Sequence, residues 1–157
     1  MPVVPPEDLP GLIGRRRRIL GLDVGAKTIG LALSDSSLTV ATPLDTIRRR
    51  KFTLDVAELG VIIRDREVDA LIIGLPVNMD GSEGPRAQST RQFAANCAEV
   101  LDLAMAFWDE RLSTAAVTRV LIDADSSRKR RAEVVDKMAA AYILQGALDF
   151  LARHRHS

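Results

Sequence analysis

The chain has 157 residues, 46% of them hydrophobic and 27% charged, which suits one domain with its own core and excludes a disordered chain. Its single cysteine, Cys97, rules out an intrachain disulfide and a cysteine-based zinc cluster, and no apolar run approaches the roughly 20 residues that span a bilayer, so a cytoplasmic protein is expected. The net charge of +1 hides three basic blocks, at 15–18, 48–51 and 128–131. Each block alone reads as a solvated loop end, but three together point to a polyanion such as nucleic acid, without the aromatic interleaving of a base-stacking surface.

Residues 1–17 read as a flexible leader, with prolines at 2, 5, 6 and 10 and no secretory layout. One domain is expected over 18–153. Residues 19–24 form an apolar run closed by Gly25, a strand signal, and 28–34 read as a second strand. The short link at 25–27 predicts a hairpin. A third strand is expected within 38–47, with Pro43 tolerable at an edge. Phe52, Val56, Leu59 and Ile63 recur at helical spacing and predict a helix over 52–66. Residues 70–75 are apolar throughout, as a strand covered on both faces would be.

The segment 76–85 carries Asn78, Asp80, Gly81, Ser82 and Gly84 and reads as a loop. Pro85 suits the first position of the next helix, whose inner stripe would be Ala87, Thr90, Ala94, Cys97 and Leu101. Cys97 is therefore expected as a core thiol. A fifth strand follows at 104–109, then a helix capped by Ser113 to about residue 123, a basic loop over 125–131, and a last helix from 133 to about 152. The order β-β-β-α-β-α-β-α-α implies an α/β fold with one five-stranded mixed sheet and helices on both faces. Ligands of such sheets gather at the carboxyl ends of the parallel strands.

Three places carry acids of interest. Asp23 ends the first strand, where a buried carboxylate needs a partner, although Asp-x-Gly also caps turns. Asp109 and Glu110 end the fifth strand and point to opposite faces, so only one can aim at Asp23, and alternation does not choose. Asp136 lies near the start of the last helix and borders the arc of Ala140, Ile143 and Ala147. A charge there favours the helix N-terminus, but that does not account for its inward facing. Carboxylates converging without histidine or cysteine suit Mg²⁺ or Mn²⁺ rather than zinc. Two such ions can drive phosphodiester cleavage and invert the sign of an acidic site toward nucleic acid. The histidines, His154 and His156, sit in the terminal tail and are poor catalytic candidates.

Four stretches carry a resemblance: 22–30 (LDVGAKTIG), 74–82 (GLPVNMDGS), 109–114 (DERLST) and 135–140 (VDKMAA) running into Ile143, Leu144 and Gln145. In this order they resemble the YqgF/RuvX family of pre-16S ribosomal RNA nucleases and Holliday junction resolvase-like proteins, over nearly all of 18–151. The resemblance implies a ribonuclease H-like fold related to the RuvC resolvase. It implies that Asp23, Glu110 and Asp136 form an acidic catalytic triad holding Mg²⁺ or Mn²⁺ as a two-ion site, which selects Glu110 over Asp109. Lys27, Asn78 and Arg111 within these stretches, with Arg48, Arg49, Arg128, Lys129 and Arg130 of the basic blocks, are expected to contact nucleic acid.

The expected function is a metal-dependent nuclease, a hydrolase that processes the 5′ end of pre-16S ribosomal RNA in ribosome biogenesis. The alternatives are resolution of branched DNA by a dimer, and nucleic-acid binding without catalysis, which the presence of all three acids disfavours. An actin-like phosphotransferase shares the first hairpin, but needs two domains around a cleft and further nucleotide loops. The oligomer, monomer or homodimer, is left open by the sequence.

Overall fold

A computed structural model describes residues 3–14, 18–112 and 128–155, the side chains of 128–135 and 155 excepted. Five strands build the sheet: β1 (Arg18–Val24), β2 (Thr28–Ser34), β3 (Ala41–Arg48), β4 (Val68–Leu75) and β5 (Ala104–Asp109). Three helices pack on it: α1 (Phe52–Asp65), α2 (Pro85–Val100) and α3 (Arg128–Arg155). The strand order is β3-β2-β1-β4-β5. The first three strands form an antiparallel meander, and β1, β4 and β5 are parallel neighbours. The hairpin between β1 and β2 closes where the Gly25 N–H donates to the Thr28 carbonyl at 2.8 Å.

Two apolar layers sandwich the sheet. Leu20, Leu22 and Val24 face Val56 and Leu59 of α1 and Phe93, Ala94 and Cys97 of α2. Ile19, Ile72, Ala106 and Trp108 face Ala140, Ile143, Leu144 and Ala147 of α3. Strand β4 is therefore covered on both sides, which is why residues 70–75 are buried without alternation. Gly21 lets α3 lie close on β1, since a Cβ there would stand 2.8 Å from Leu144 Cβ. Pro85 opens α2 from the first turn, as the sequence predicts. The inner stripe of α2 gains Phe93, which meets Phe52 edge to face at 5.8 Å; the helix ends at Val100, and Leu101, its C-cap, still packs against the same layer.

Both sheet edges are covered. Where the sequence suggests a loose leader, residues 3–14 run along β5: the Val4 N–H donates to the Met105 carbonyl at 2.8 Å, Leu9 in a 3-10 helix (Pro6–Leu12) is fully buried, and the Gly14 N–H reaches Asp69 at 2.8 Å. An edge strand offers unpaired donors and acceptors, and the leader satisfies them. At the other edge Gln145 of α3 accepts the Ala41 N–H and donates to the Thr39 carbonyl, each at 2.9 Å. Strand β3 begins at Ala41, later than expected, because Asp35 accepts the Thr39 and Val40 N–H groups and holds 35–40 in a turn, with Leu38 at φ 57°. Residues 128–131 form the first turn of α3 rather than part of a basic loop. The expected helix at 113–123 lies outside the described residues. Among the described residues no helix is long and apolar enough to cross a membrane.

Candidate active site

The candidate site lies on the α3 face, at the carboxyl ends of β1 and β4. Alternation along β1 sends Leu20, Leu22 and Val24 toward α1 and α2, so Asp23 faces α3 with Ile19 and Gly21. Asp23 is only 3% exposed. It pairs across the sheet with Gly30 of β2. On its other side, Gly74 follows Ile73 in β4 just as Asp23 follows Leu22, the residue that Ile73 pairs with. Asp23 thus stands between two glycines on one face of the sheet.

Each glycine leaves room for another acid. A Cβ on Gly30 would fall 2.0 Å from the Asp136 carbonyl oxygen and 2.9 Å from the Lys137 nitrogen, so the α3 backbone at Asp136 rests directly on β2 beside Asp23. A Cβ on Gly74 would fall 3.1 Å from Glu110 Oε1 and 2.5 Å from Ile143 Cδ1, and that Oε1 is buried. The fold therefore brings Asp136 and Glu110 to the two flanks of Asp23. Thr28 Oγ1 donates a hydrogen bond to Asp136 Oδ2, so the hydroxyl sets how that carboxylate is presented. Among the described residues, no three acid, histidine or cysteine side chains already close around a single point as a ligand cluster would.

Asp109 and Glu110 take separate roles. Ala104, Ala106 and Trp108 face α3, and Glu110, in the 3-10 turn that follows (Glu110–Leu112), sets Oε1 on that same side, over Gly74 with Ile143. Asp109 accepts from Arg111, whose Nη2 lies 2.6 Å from Oδ2 and whose backbone N–H lies 2.9 Å from Oδ1. The guanidinium hydrogen bond holds the Asp109 carboxyl below the ordinary value and raises that of Arg111.

The expected nucleic-acid contacts divide. Lys27 and Arg48 are exposed at the hairpin end of the sheet, and the Arg49 N–H donates to the Lys27 carbonyl at 2.8 Å. These three residues therefore sit together at the end of the sheet that holds Asp23. Arg49, however, turns inward: Nη1 donates to the Gly25 carbonyl at 2.6 Å and the guanidinium lies 5.4 Å from the Phe93 ring centre. Arg111 is likewise engaged, with Asp109 and with the Met79 carbonyl at 3.2 Å. Asn78 braces the 76–84 loop by donating to Ser82 Oγ at 3.0 Å. Arg128, Lys129 and Arg130 open α3, two turns before Asp136, and their side chains lie outside the described residues. Thr28, Gly30 and Gly74 were not singled out from sequence, although a glycine inside an apolar strand is a signal of close approach. Arg86, with Ser89 and Thr90, lines a cavity of about 120 Å³ against Gly25 and Ala26.

Comparison with known proteins fits this architecture. A protein from Paramagnetospirillum magneticum named "Putative pre-16S rRNA nuclease" is 64% identical over 149 residues, 95% of this chain and 96% of that one. A relative of the same name from Ruegeria sp. is 58% identical over 151 residues, 96% of each chain. Among solved structures, RuvC of T. thermophilus in complex with a Holliday junction substrate covers 90% of this chain and 98% of its own, with a TM-score of 0.55 at 11% identity, a likeness of fold. The fold is thus the ribonuclease H-like α/β architecture of the RuvC resolvases. The model of the RuvX family, described as Holliday junction resolvase, matches residues 17–150, and the chain belongs to that family.

Proposed function

We propose that this protein is a divalent-metal-dependent nuclease that hydrolyses phosphodiester bonds in pre-16S ribosomal RNA in the cytoplasm, with Asp23, Glu110 and Asp136 as its acidic centre. The observation that carries this reading is the row Gly30–Asp23–Gly74, with the α3 backbone at Asp136 over one glycine and Glu110 Oε1 over the other. The donor set is made of carboxylates alone, which fits Mg²⁺ or Mn²⁺, and glycine on both sides of Asp23 lets α3 and Glu110 approach the sheet there. Asp23, Glu110 and Asp136 would hold two ions, which when bound activate the attacking water and offset charge on the leaving oxygen.

The chain's own residues do the rest. Strand β1 fixes Asp23 rigidly, so the centre rests on a sheet and not on a loop. Thr28 orients Asp136 from the neighbouring strand. Gly74 leaves Glu110 space to approach. Lys27 and Arg48 line the adjacent rim, where their charges would grip flanking phosphates, and Arg128, Lys129 and Arg130 extend that rim in this reading. Substituting Asp23→Asn should abolish cleavage of a pre-16S RNA fragment in Mg²⁺ or Mn²⁺ while circular dichroism stays that of the native fold; undiminished cleavage would remove Asp23 from the centre.

A second reading, cleavage of branched DNA, is favoured by the description of the family to which the chain belongs. Resolution needs two coordinated cuts and hence a dimer. Cleavage of a labelled four-way junction and of the RNA precursor, measured side by side, separates the two.

A further inference from the structure

We propose that Met79 is a substrate-contact residue, packing its side chain against the face of an RNA base next to the bond that is cut. The inference rests on the nuclease reading above. Met79 is 87% exposed, the most exposed of the large apolar side chains described. It stands at the tip of the 76–84 loop, which leaves the carboxyl end of β4 just beyond Gly74 and Leu75.

The tip is held in shape by its own bonds. The Asn78 N–H donates to the Ser82 carbonyl and the Gly81 N–H to the Asn78 carbonyl, both at 2.9 Å. Ser82 donates its N–H and hydroxyl to Asp80 Oδ1 at 2.9 and 2.6 Å. Gly81 sits at φ 91°, where a side chain is strained. Arg111, the residue after Glu110, fastens the loop by donating to the Met79 carbonyl at 3.2 Å. Met79 is thereby tied to the residue that follows Glu110 in the chain.

The chemistry of the loop selects the part of the nucleic acid it can touch. Residues 76–84 contain no lysine or arginine, and include Asp80 and Glu83. The Ser82 hydroxyl holds the Asp80 carboxyl below the ordinary value, so it stays ionised at neutral pH. Glu83 is matched by Arg91 at 2.6 Å. With no cation of its own, the loop offers phosphate no charge partner. An apolar, polarisable thioether projected from it has base faces as its favourable partner, and pre-ordering of the loop reduces the entropy lost on contact.

The test uses an RNA hairpin with a single-stranded extension carrying 2-aminopurine at successive positions, titrated with Ca²⁺ in place of Mg²⁺ to keep it uncut. Met79→Ala should weaken binding about tenfold, the scale of two buried methylene-sized groups. It should also abolish the 2-aminopurine response at one position and leave the salt dependence unchanged. Met79→Leu should restore both. If wild type binds and Met79→Ala binds equally with the same fluorescence, the proposal fails and the nuclease reading stands. A salt slope reduced by about one would identify a phosphate contact and also overturn it. If wild-type protein binds no RNA, both readings fail together.

Discussion

The closest approach in the site yields the sharpest consequence. In Gly30→Ala the new methyl would sit 2.0 Å from the Asp136 carbonyl oxygen and 2.3 Å from its carbon. Those are backbone atoms in the middle of a helix, so no rotamer relieves the clash. Moving that oxygen from 2.0 Å out to the 3.4 Å of ordinary contact requires a retreat of about 1.4 Å by α3 at Asp136. The retreat pulls Asp136 from Thr28 and from the Asp23 flank, and loosens the packing of Ala140 and Ile143 on the sheet. Overpacking of this kind costs about 1–3 kcal/mol, and the upper end corresponds to a Tm lower by roughly 6–12 °C for a chain of this size. Misplacing a catalytic group by about 1 Å costs about a hundredfold in rate, so cleavage should fall much further than stability. Gly11→Ala, where a Cβ meets nothing within 4 Å, is the control and should change neither. Differential scanning fluorimetry and a cleavage time course read the two effects. A Gly30→Ala protein with unchanged Tm and rate would refute the placement of α3 on β2.

Other expectations follow from the same geometry. Thr28→Val removes the hydroxyl that engages Asp136 at nearly constant volume; Mn²⁺ affinity by calorimetry should drop about 10–100-fold, as for lost outer-shell partners, with Thr28→Ser close to wild type, and equal affinity in all three would deny Thr28 a positioning role. The Arg111 pair depresses the Asp109 carboxyl, so its contribution is full above the unfolded value of about 3.9 and is lost as pH falls through the lower folded value. The Met79 methyl resonance should therefore hold its native position from pH 8 to about 5 and shift only below about 4; a change near neutral pH would contradict the anchor. Burial pushes the Cys97 thiol up to about 12, the nearby Arg49 charge only partly opposing this. Alkylation at pH 8 should accordingly be slow in native protein and prompt in denaturant, and rapid native labelling would show that Cys97 is not in the core.

The sheet and its helices were legible because the patterns that announce them are local. Residues 104–109 read directly as a strand, and Pro85 marked the start of α2 from sequence. What escaped depended on long-range packing. Asp109 and Glu110 could not be separated by alternation because residues 104–108 are all apolar, so no polar face distinguishes the two sides of β5. The leader looked loose because nothing local in a proline-rich segment shows that Leu9 will find the β5 edge. Arg49 and Arg111 read as further members of a basic surface, yet the Gly25 carbonyl, remote in the chain, engages Arg49, and the adjacent Asp109 carboxylate engages Arg111. Within the site, Asp23 is marked by ending an apolar run. Gly30 and Gly74 reveal their purpose only when α3 and Glu110 are laid over them.

The central claim is that acids from three elements meet to hold divalent ions. Anomalous diffraction from a crystal soaked in Mn²⁺ tests it most directly. Peaks are expected at the carboxyl end of β1, ligated by Asp23 together with Glu110 and Asp136. Saturating Mn²⁺ that leaves this place empty, or that binds only at other carboxylates, would contradict it.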